Sequence, residues 1–223
     1  MANIKWTDPE TEGFSGELEL SINAQHTKAV FTDDTLGGQI IMFGENLKMK
    51  GGNLDSGSID KVIFKNSEGG QILVATDGKF KASDIGAAAE ADNAYGVYLS
   101  LFKGNDIVTG SNERDNLIGL RGDDKLFGRN GEDVLQGGKG DDELTGGLGQ
   151  DNFLFENSGV QHDVIHDLDV LGETRDALSI DAEITKIKGV HNGHDTMLTL
   201  DNGSTILLED VKKADFVDYW IPA

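Results

Sequence analysis

LFKGNDIVT (101–109), GSNERDNLI (110–118), GLRGDDKLF (119–127), GRNGEDVLQ (128–136), GGKGDDELT (137–145) and GGLGQDNFL (146–154) follow one another without a gap. Position six of each nonapeptide is aspartate: Asp106, Asp115, Asp124, Asp133, Asp142 and Asp151. Position eight is apolar: Val108, Leu117, Leu126, Leu135, Leu144 and Phe153. Glycine fills positions one and four in five of the six copies, the exceptions being Leu101 and Glu113. A short exact period with one inward apolar residue per copy is the pattern of a stacked solenoid. Each copy divides into a six-residue turn and a three-residue strand. The glycines at positions one and four are expected to adopt backbone angles that other residues avoid, and to let carbonyls converge.

The predicted stack has a physical problem. One apolar side chain per nine residues makes a thin core, too thin to offset the ordering of the backbone. Strands in a ladder lie about 4.8 Å apart, so aspartates of successive rungs crowd one another. Two carboxylates about 5 Å apart repel by roughly 3 kcal/mol at an effective dielectric of about 20. A hard divalent cation with six or more oxygen ligands converts that repulsion into attraction. The residues therefore predict a parallel β-roll that is disordered without Ca2+ and folds when it binds.

The nonapeptide G-G-x-G-x-D-x-U-x resembles that of the RTX (repeats-in-toxin) calcium-binding proteins. The resemblance implies that two nonapeptides make one turn and that an ion lies between repeats n and n+2. The earlier repeat supplies the carbonyls of positions two and four and its Asp; the later one supplies those of positions one and three and its Asp. The first implied set is Phe102, Gly104, Asp106, Gly119, Arg121 and Asp124. The second is Ser111, Glu113, Asp115, Gly128, Asn130 and Asp133. The third is Leu120, Gly122, Asp124, Gly137, Lys139 and Asp142. The fourth is Arg129, Gly131, Asp133, Gly146, Leu148 and Asp151. About four Ca2+ ions follow from this pattern. Glu113 breaks it and predicts backbone strain in the second set; Leu101 and Phe102 make the first repeat half boundary. The variable side chains are not expected to matter, because the main chain binds there.

The flanks give the expected architecture: mainly β, with an N-terminal β-rich domain (1–100), the six-nonapeptide roll (101–154) and a C-terminal β cap (155–223). Strands are predicted at Glu17–Ile22, Lys28–Thr32, Gln39–Phe43, Lys61–Phe64 and Gln71–Ala75, several separated by Gly-Gly pairs. Ser83 and Asp84 are positioned to cap one short helix. A second, from Asp92 to about Phe102 with Tyr95, Tyr98, Leu99 and Phe102 on one face, is expected to serve as a lid on the roll, the helical lid region spanning about 82–102. After the roll, Asp163–Leu168 resembles the D-V-I-x-D-F/L element that follows RTX repeats. Asp195–Leu200 and Ser204–Leu208 read as a hairpin across Asp201–Asn202–Gly203. Roll and cap together resemble the terminal modules of serralysin-type proteases and alginate epimerases.

Composition narrows the function. The formal charge of −21, from 40 acidic and 19 basic residues, is spread along the chain and offers no basic stripe for nucleic acid. No stretch is long enough for a membrane span. The absence of cysteine excludes disulfides and cysteine-zinc sites. No H-E-x-x-H, G-x-S-x-G, P-loop or Rossmann fingerprint is present, so no enzymatic activity is assigned. Asp167–Asp169–Gly172 begins like an EF-hand and lacks the closing glutamate. His162 with His166, and His191 with His194, have spacings that could serve zinc or iron, although exposed turn histidines are the simpler reading.

The N-terminus, MANIKWTDPETEGF, has no apolar core of a Sec signal. The RTX resemblance implies instead secretion from a Gram-negative bacterium by type I export machinery, through an uncleaved C-terminal signal. Lys212–Ile221, acidic and hydrophobic residues mixed, has the look of one. The expected protein is thus extracellular and folds on Ca2+ after export. Its N-terminal domain is assigned a polysaccharide or cell-surface ligand. An accessory module of an exopolysaccharide-modifying enzyme, or a matrix or adhesive protein, is the alternative.

Overall fold

The computed structural model describes residues 18–33, 39–50, 53–65, 71–82, 104–156, 159–171 and 174–220. The chain divides into two compact units, Met1–Ile107 and Val108–Ala223. Residues 83–102 of the expected helical lid, Phe102 among them, lie outside the described residues.

The first unit contains an antiparallel meander of β1 (Leu18–Ile22), β2 (Lys28–Asp33), β3 (Gln39–Lys50), β4 (Asn53–Lys65) and β5 (Gln71–Lys81), each paired with the next. The β1–β2 turn is held by Asn23, whose Oδ1 accepts the N–H groups of Thr27 and Lys28 at 2.9 Å. Ile40, Met42, Leu47, Leu54, Ile59 and Val62 are buried. Strands β3, β4 and β5 run to 12, 13 and 11 residues, well beyond the β-branched runs seen in the sequence. Irregularities in register between Phe43 and Gly44 and between Ile59 and Lys61 explain the shortfall. A bulge shifts side chains to the other face, so the alternation that marks a strand is lost although pairing continues.

The second unit is the predicted roll. Its strands are β6 (Ile107–Thr109), β7 (Asn116–Arg121), β8 (Lys125–Asn130), β9 (Val134–Lys139), β10 (Glu143–Leu148), β11 (Asn152–Phe155), β12 (His162–Ile165) and β13 (Ala177–Ile180). Alternate strands go to alternate sheets: β6-β8-β10-β12 in one and β7-β9-β11-β13 in the other. Pairing is parallel, with Leu117 opposite Leu135 and Leu126 opposite Leu144, so two nonapeptides make one turn. All six position-eight side chains are fully buried. The strands between repeats are six residues long rather than three. Pairing resumes beyond position one: Leu120 is opposite Gly138 and Arg121 opposite Lys139.

The cap continues the first sheet. Strand β16 (Thr205–Leu208) joins β12 in parallel, then β15 (Asp195–Leu200) and β14 (Ile184–Val190) follow antiparallel. The expected hairpin across Asp201–Asn202–Gly203 is present, with Gly203 at φ +91°. Helix α1 (Lys213–Trp220) ends the described chain and buries Phe216. The Tyr219 hydroxyl accepts from Leu178 N–H and donates to the Asp176 carbonyl, both at 3.0 Å, tying α1 to β13.

Candidate metal centre

Position six forms two ladders. The backbone N–H of Asp115 donates to Oδ1 of Asp133 (2.8 Å), and that of Asp133 to Oδ1 of Asp151 (2.9 Å). On the other side Asp124 N–H donates to Oδ1 of Asp142 at 2.8 Å. Asp133, Asp142 and Asp151 are thus each anchored by one oxygen to the rung before. The six aspartates are 1–7% exposed, far below what isolated carboxylates tolerate.

The other oxygen, Oδ2, points into a glycine-lined cradle. A Cβ at Gly119 would meet Asp124 Oδ2 and stand 2.6 Å from the Gly137 carbonyl oxygen. One at Gly128 would collide with Asp133 Oδ2 and the Gly146 carbonyl, and one at Gly110 with Asp115 Oδ2 and the Gly128 carbonyl. Position one is therefore glycine because a side chain would fill the space between carboxylate and stacked carbonyl. This corrects the expectation about backbone angle: Gly110, Gly119, Gly128, Gly137 and Gly146 are not among the positive-φ residues. Positive φ falls instead at position four (Gly122, Gly131, Gly140, Gly149) and at position two. Leu120 (+77°) and Arg129 (+87°) hold position two against the steric preference of a side chain; Gly138 and Gly147 hold it freely. The variable positions are thus not all neutral. Glu113, predicted to be strained, is not at positive φ.

Among the described residues, Oδ2 of Asp133, Asp142 and Asp151 has no hydrogen-bond partner. Burial pushes the carboxyls of Asp133 and Asp142 up to about 6 and raises that of Asp151. Bare charge is disfavoured there, and a cation is the missing counterpart. The donor set fits a hard ion, being carboxylate oxygen and main-chain carbonyl. Among the described residues no three His, Asp or Glu side chains converge enough to hold a metal, so a cation in the roll would need those carbonyls.

The implied ligands fall as follows. Asp115 and Gly128, Asp124 and Gly137, and Asp133 and Gly146 share cradles in the second, third and fourth sets. The carbonyls of Glu113, Leu120, Gly122, Arg129 and Gly131 face the glycines stacked two repeats on, at Gly131, Gly138, Gly140, Gly147 and Gly149. Those of Lys139 and Leu148 accept from Gly122 and Gly131 N–H (2.8 and 2.9 Å), leaving each a second lone pair. The second set differs from its neighbours. Oδ2 of Asp115 already accepts from Ser111 N–H (2.6 Å) and Ser111 Oγ (2.9 Å). In the first set, Gly104 is open and Asp106 is buried.

Sequence reasoning missed two rungs. Asp142 N–H donates to Oδ1 of Asp163 at 3.0 Å, and Asp151 N–H to Oδ1 of Asp176 at 2.9 Å. The intervals are 21 and 25 residues instead of 18, so a strict nonapeptide period passes over them. The signal was the D-x-apolar triplet: Asp163–Val164–Ile165 and Asp176–Ala177–Leu178 repeat positions six to eight, with Ile165 and Leu178 buried. Asp167, in the same cap, accepts the N–H groups of Gly146 and Gly147 at 2.8 Å.

Three of the described histidines pair with side chains other than histidine, and His166 also faces Glu143 through Nε2 at 3.4 Å. His162 Nδ1 bonds Thr205 Oγ1 at 2.9 Å, His191 Nδ1 bonds Asp195, and His166 Nδ1 bonds Glu209 at 2.7 Å.

A parallel roll with buried aspartate ladders and glycine cradles defines a cation-binding solenoid. The family model of the RTX calcium-binding nonapeptide repeat matches residues 102–135 and 127–155. Residues 102–155 are therefore RTX calcium-binding repeats, and this segment is an RTX β-roll. Solved structures that resemble the chain include a repeat-module subunit of the Azotobacter vinelandii mannuronan C5-epimerase. It is 24% identical over 51% of this chain and 75% of its own, with a TM-score of 0.39. Another is the extracellular lipase of Serratia marcescens, 16% identical over 87% of this chain, with a TM-score of 0.36. This chain spans only 29% of that lipase. No curated protein matches the chain. Among the described residues no helix is long and apolar enough to cross a membrane.

Proposed function

We propose that the roll is a calcium-driven folding switch in a secreted protein. The observation that carries this reading is the buried Oδ2 of Asp133, Asp142 and Asp151, each without a partner and each against a position-one glycine, with the Gly146 carbonyl facing the same space at Asp133. Without a cation the stack holds uncompensated carboxylates; with Ca2+ the metal binding free energy becomes folding free energy. About four ions fill the sets given above, the second bound more weakly because Ser111 already serves Asp115. The chain crosses a type I exporter unfolded in low calcium and folds outside. The mixed acidic and apolar end, in which α1 lies, acts as the uncleaved signal. The N-terminal unit binds a polysaccharide or cell-surface ligand.

The test is a Ca2+ titration of the full chain against Mg2+, with far-UV circular dichroism for structure and calorimetry for bound ions. The expected result is a gain of β structure with Ca2+ alone. A chain fully folded in chelator that binds no Ca2+ would sink the reading.

A further inference from the structure

The aspartate ladders do not end with the nonapeptides. Asp163 and Asp176 accept from Asp142 and Asp151 with the same N–H to Oδ1 bond that joins the rungs inside the roll. The strand register continues too: Glu143 lies opposite Val164 and Asn152 opposite Ala177. Inside the roll an aspartate such as Asp133 belongs to two implied cation positions, one toward each neighbouring rung. Asp142 and Asp151 belong to only one each, because the nonapeptides stop. Yet both are 1% exposed, and Oδ2 of both lacks a partner. Asp141 Oδ1 accepts from His162 N–H beside Asp163, and Asp167 accepts from Gly146 and Gly147 N–H, all at 2.8 Å, so hydrogen bonds tie both junctions to the cap.

We propose that Asp142 with Asp163, and Asp151 with Asp176, hold two further Ca2+ ions that join the roll to its cap. Main-chain carbonyls of the fifth and sixth repeats complete the ligand shells. This inference rests on the roll being a calcium switch. It extends that reading to residues outside the repeat, and it makes docking of the cap itself dependent on metal.

The experiment counts Ca2+ bound to the full chain by calorimetry and native mass spectrometry, for wild type, Asp163→Asn, Asp176→Asn and the double variant. Asparagine keeps the Oδ1 acceptor of the ladder and removes the charge. Each single variant is expected to bind one ion fewer, and the double variant two fewer, with wild-type circular dichroism at saturating Ca2+. Variants that bind the wild-type number overturn the inference and leave the roll reading standing. A wild type that binds no Ca2+ overturns both. Should the asparagine variants not regain wild-type structure, terbium decides. The Tyr219 hydroxyl donates to the Asp176 carbonyl, so Tb3+ held there lies beside that ring. Tyrosine-sensitised emission should drop by half or more in Tyr219→Phe; unchanged emission overturns the Asp176 position.

Discussion

Replacing Gly119 by alanine tests the cradle directly. Gly119 is not at positive φ, so the backbone tolerates a side chain. The new Cβ would stand 2.6 Å from the Gly137 carbonyl oxygen and closer to Asp124 Oδ2, where ordinary contact begins at 3.4 Å. Both oxygens must retreat by about 0.8 Å or more, whereas calcium–oxygen distances span only about 2.3–2.6 Å. Two costs follow. Overpacking costs about 1–3 kcal/mol at any calcium level. Loss of the ion forfeits about 2.7 kcal/mol at a calcium concentration 100 times its Kd. Gly119→Ala should therefore destabilise the loaded protein by roughly 4–6 kcal/mol, with a penalty that grows with calcium. Urea unfolding at several fixed Ca2+ concentrations measures this, and calorimetry should show one ion lost. Gly104→Ala is the control, since nothing lies within 4 Å of its Cβ; it should change stability by less than about 0.5 kcal/mol. A Gly119→Ala protein that keeps its full ion count and loses under about 1 kcal/mol would refute the cradle as the cation position.

Three other predictions concern the same unit. Burial raises Asp133, Asp142 and Asp176 to about 6 and Asp163 to about 7, above their unfolded values. The calcium-free fold thus binds more protons than the unfolded chain, so it gains stability as pH falls from 7 toward 4 and loses it as pH rises. Circular dichroism of resin-decalcified protein at pH 7.5, 6 and 5 should show structure returning on acidification, while Ca2+ affinity weakens over the same range. Arg129→Gly relieves a positive φ and should stabilise the loaded roll by about 1 kcal/mol in urea titrations, where a non-glycine residue pays roughly 1–2 kcal/mol. His166 sits between Glu209 (2.7 Å) and Glu143 (3.4 Å), and Glu143 also pairs with Lys125 (2.7 Å). Burial alone would lower the His166 pKa, but the two carboxylates outweigh it and leave it raised. Its stabilisation is complete below the unfolded pKa and lost as pH rises through the folded one. His166→Ala should cost under about 1 kcal/mol at pH 6 and nothing at pH 8.5, with the difference abolished by salt.

The roll was legible because its period is strict. A side chain that recurs every nine residues must recur at the same place in space when two nonapeptides make a turn. Leu117, Leu126, Leu135 and Leu144 could therefore be assigned to the core from the letters alone. The long strands β3 to β5 were only half visible, because bulges break the alternation on which strand reading depends. The rungs Asp163 and Asp176 were hidden for a related reason. Loops of unequal length precede them, and the triplet that marks each is too short to stand out without the register.

The sequence by itself determined the parallel roll, its apolar column and the need for a cation, since these follow from the spacing of aspartate, glycine and leucine. Only the tertiary structure decided which oxygen of Asp133, Asp142 and Asp151 is anchored and which is left without a partner. It also decided that position-one glycine acts by the absence of a side chain while positions two and four carry the unusual backbone angles. Those distinctions depend on what the rung two repeats away places against each atom. That neighbour is set by the register of stacking, which no single nonapeptide contains.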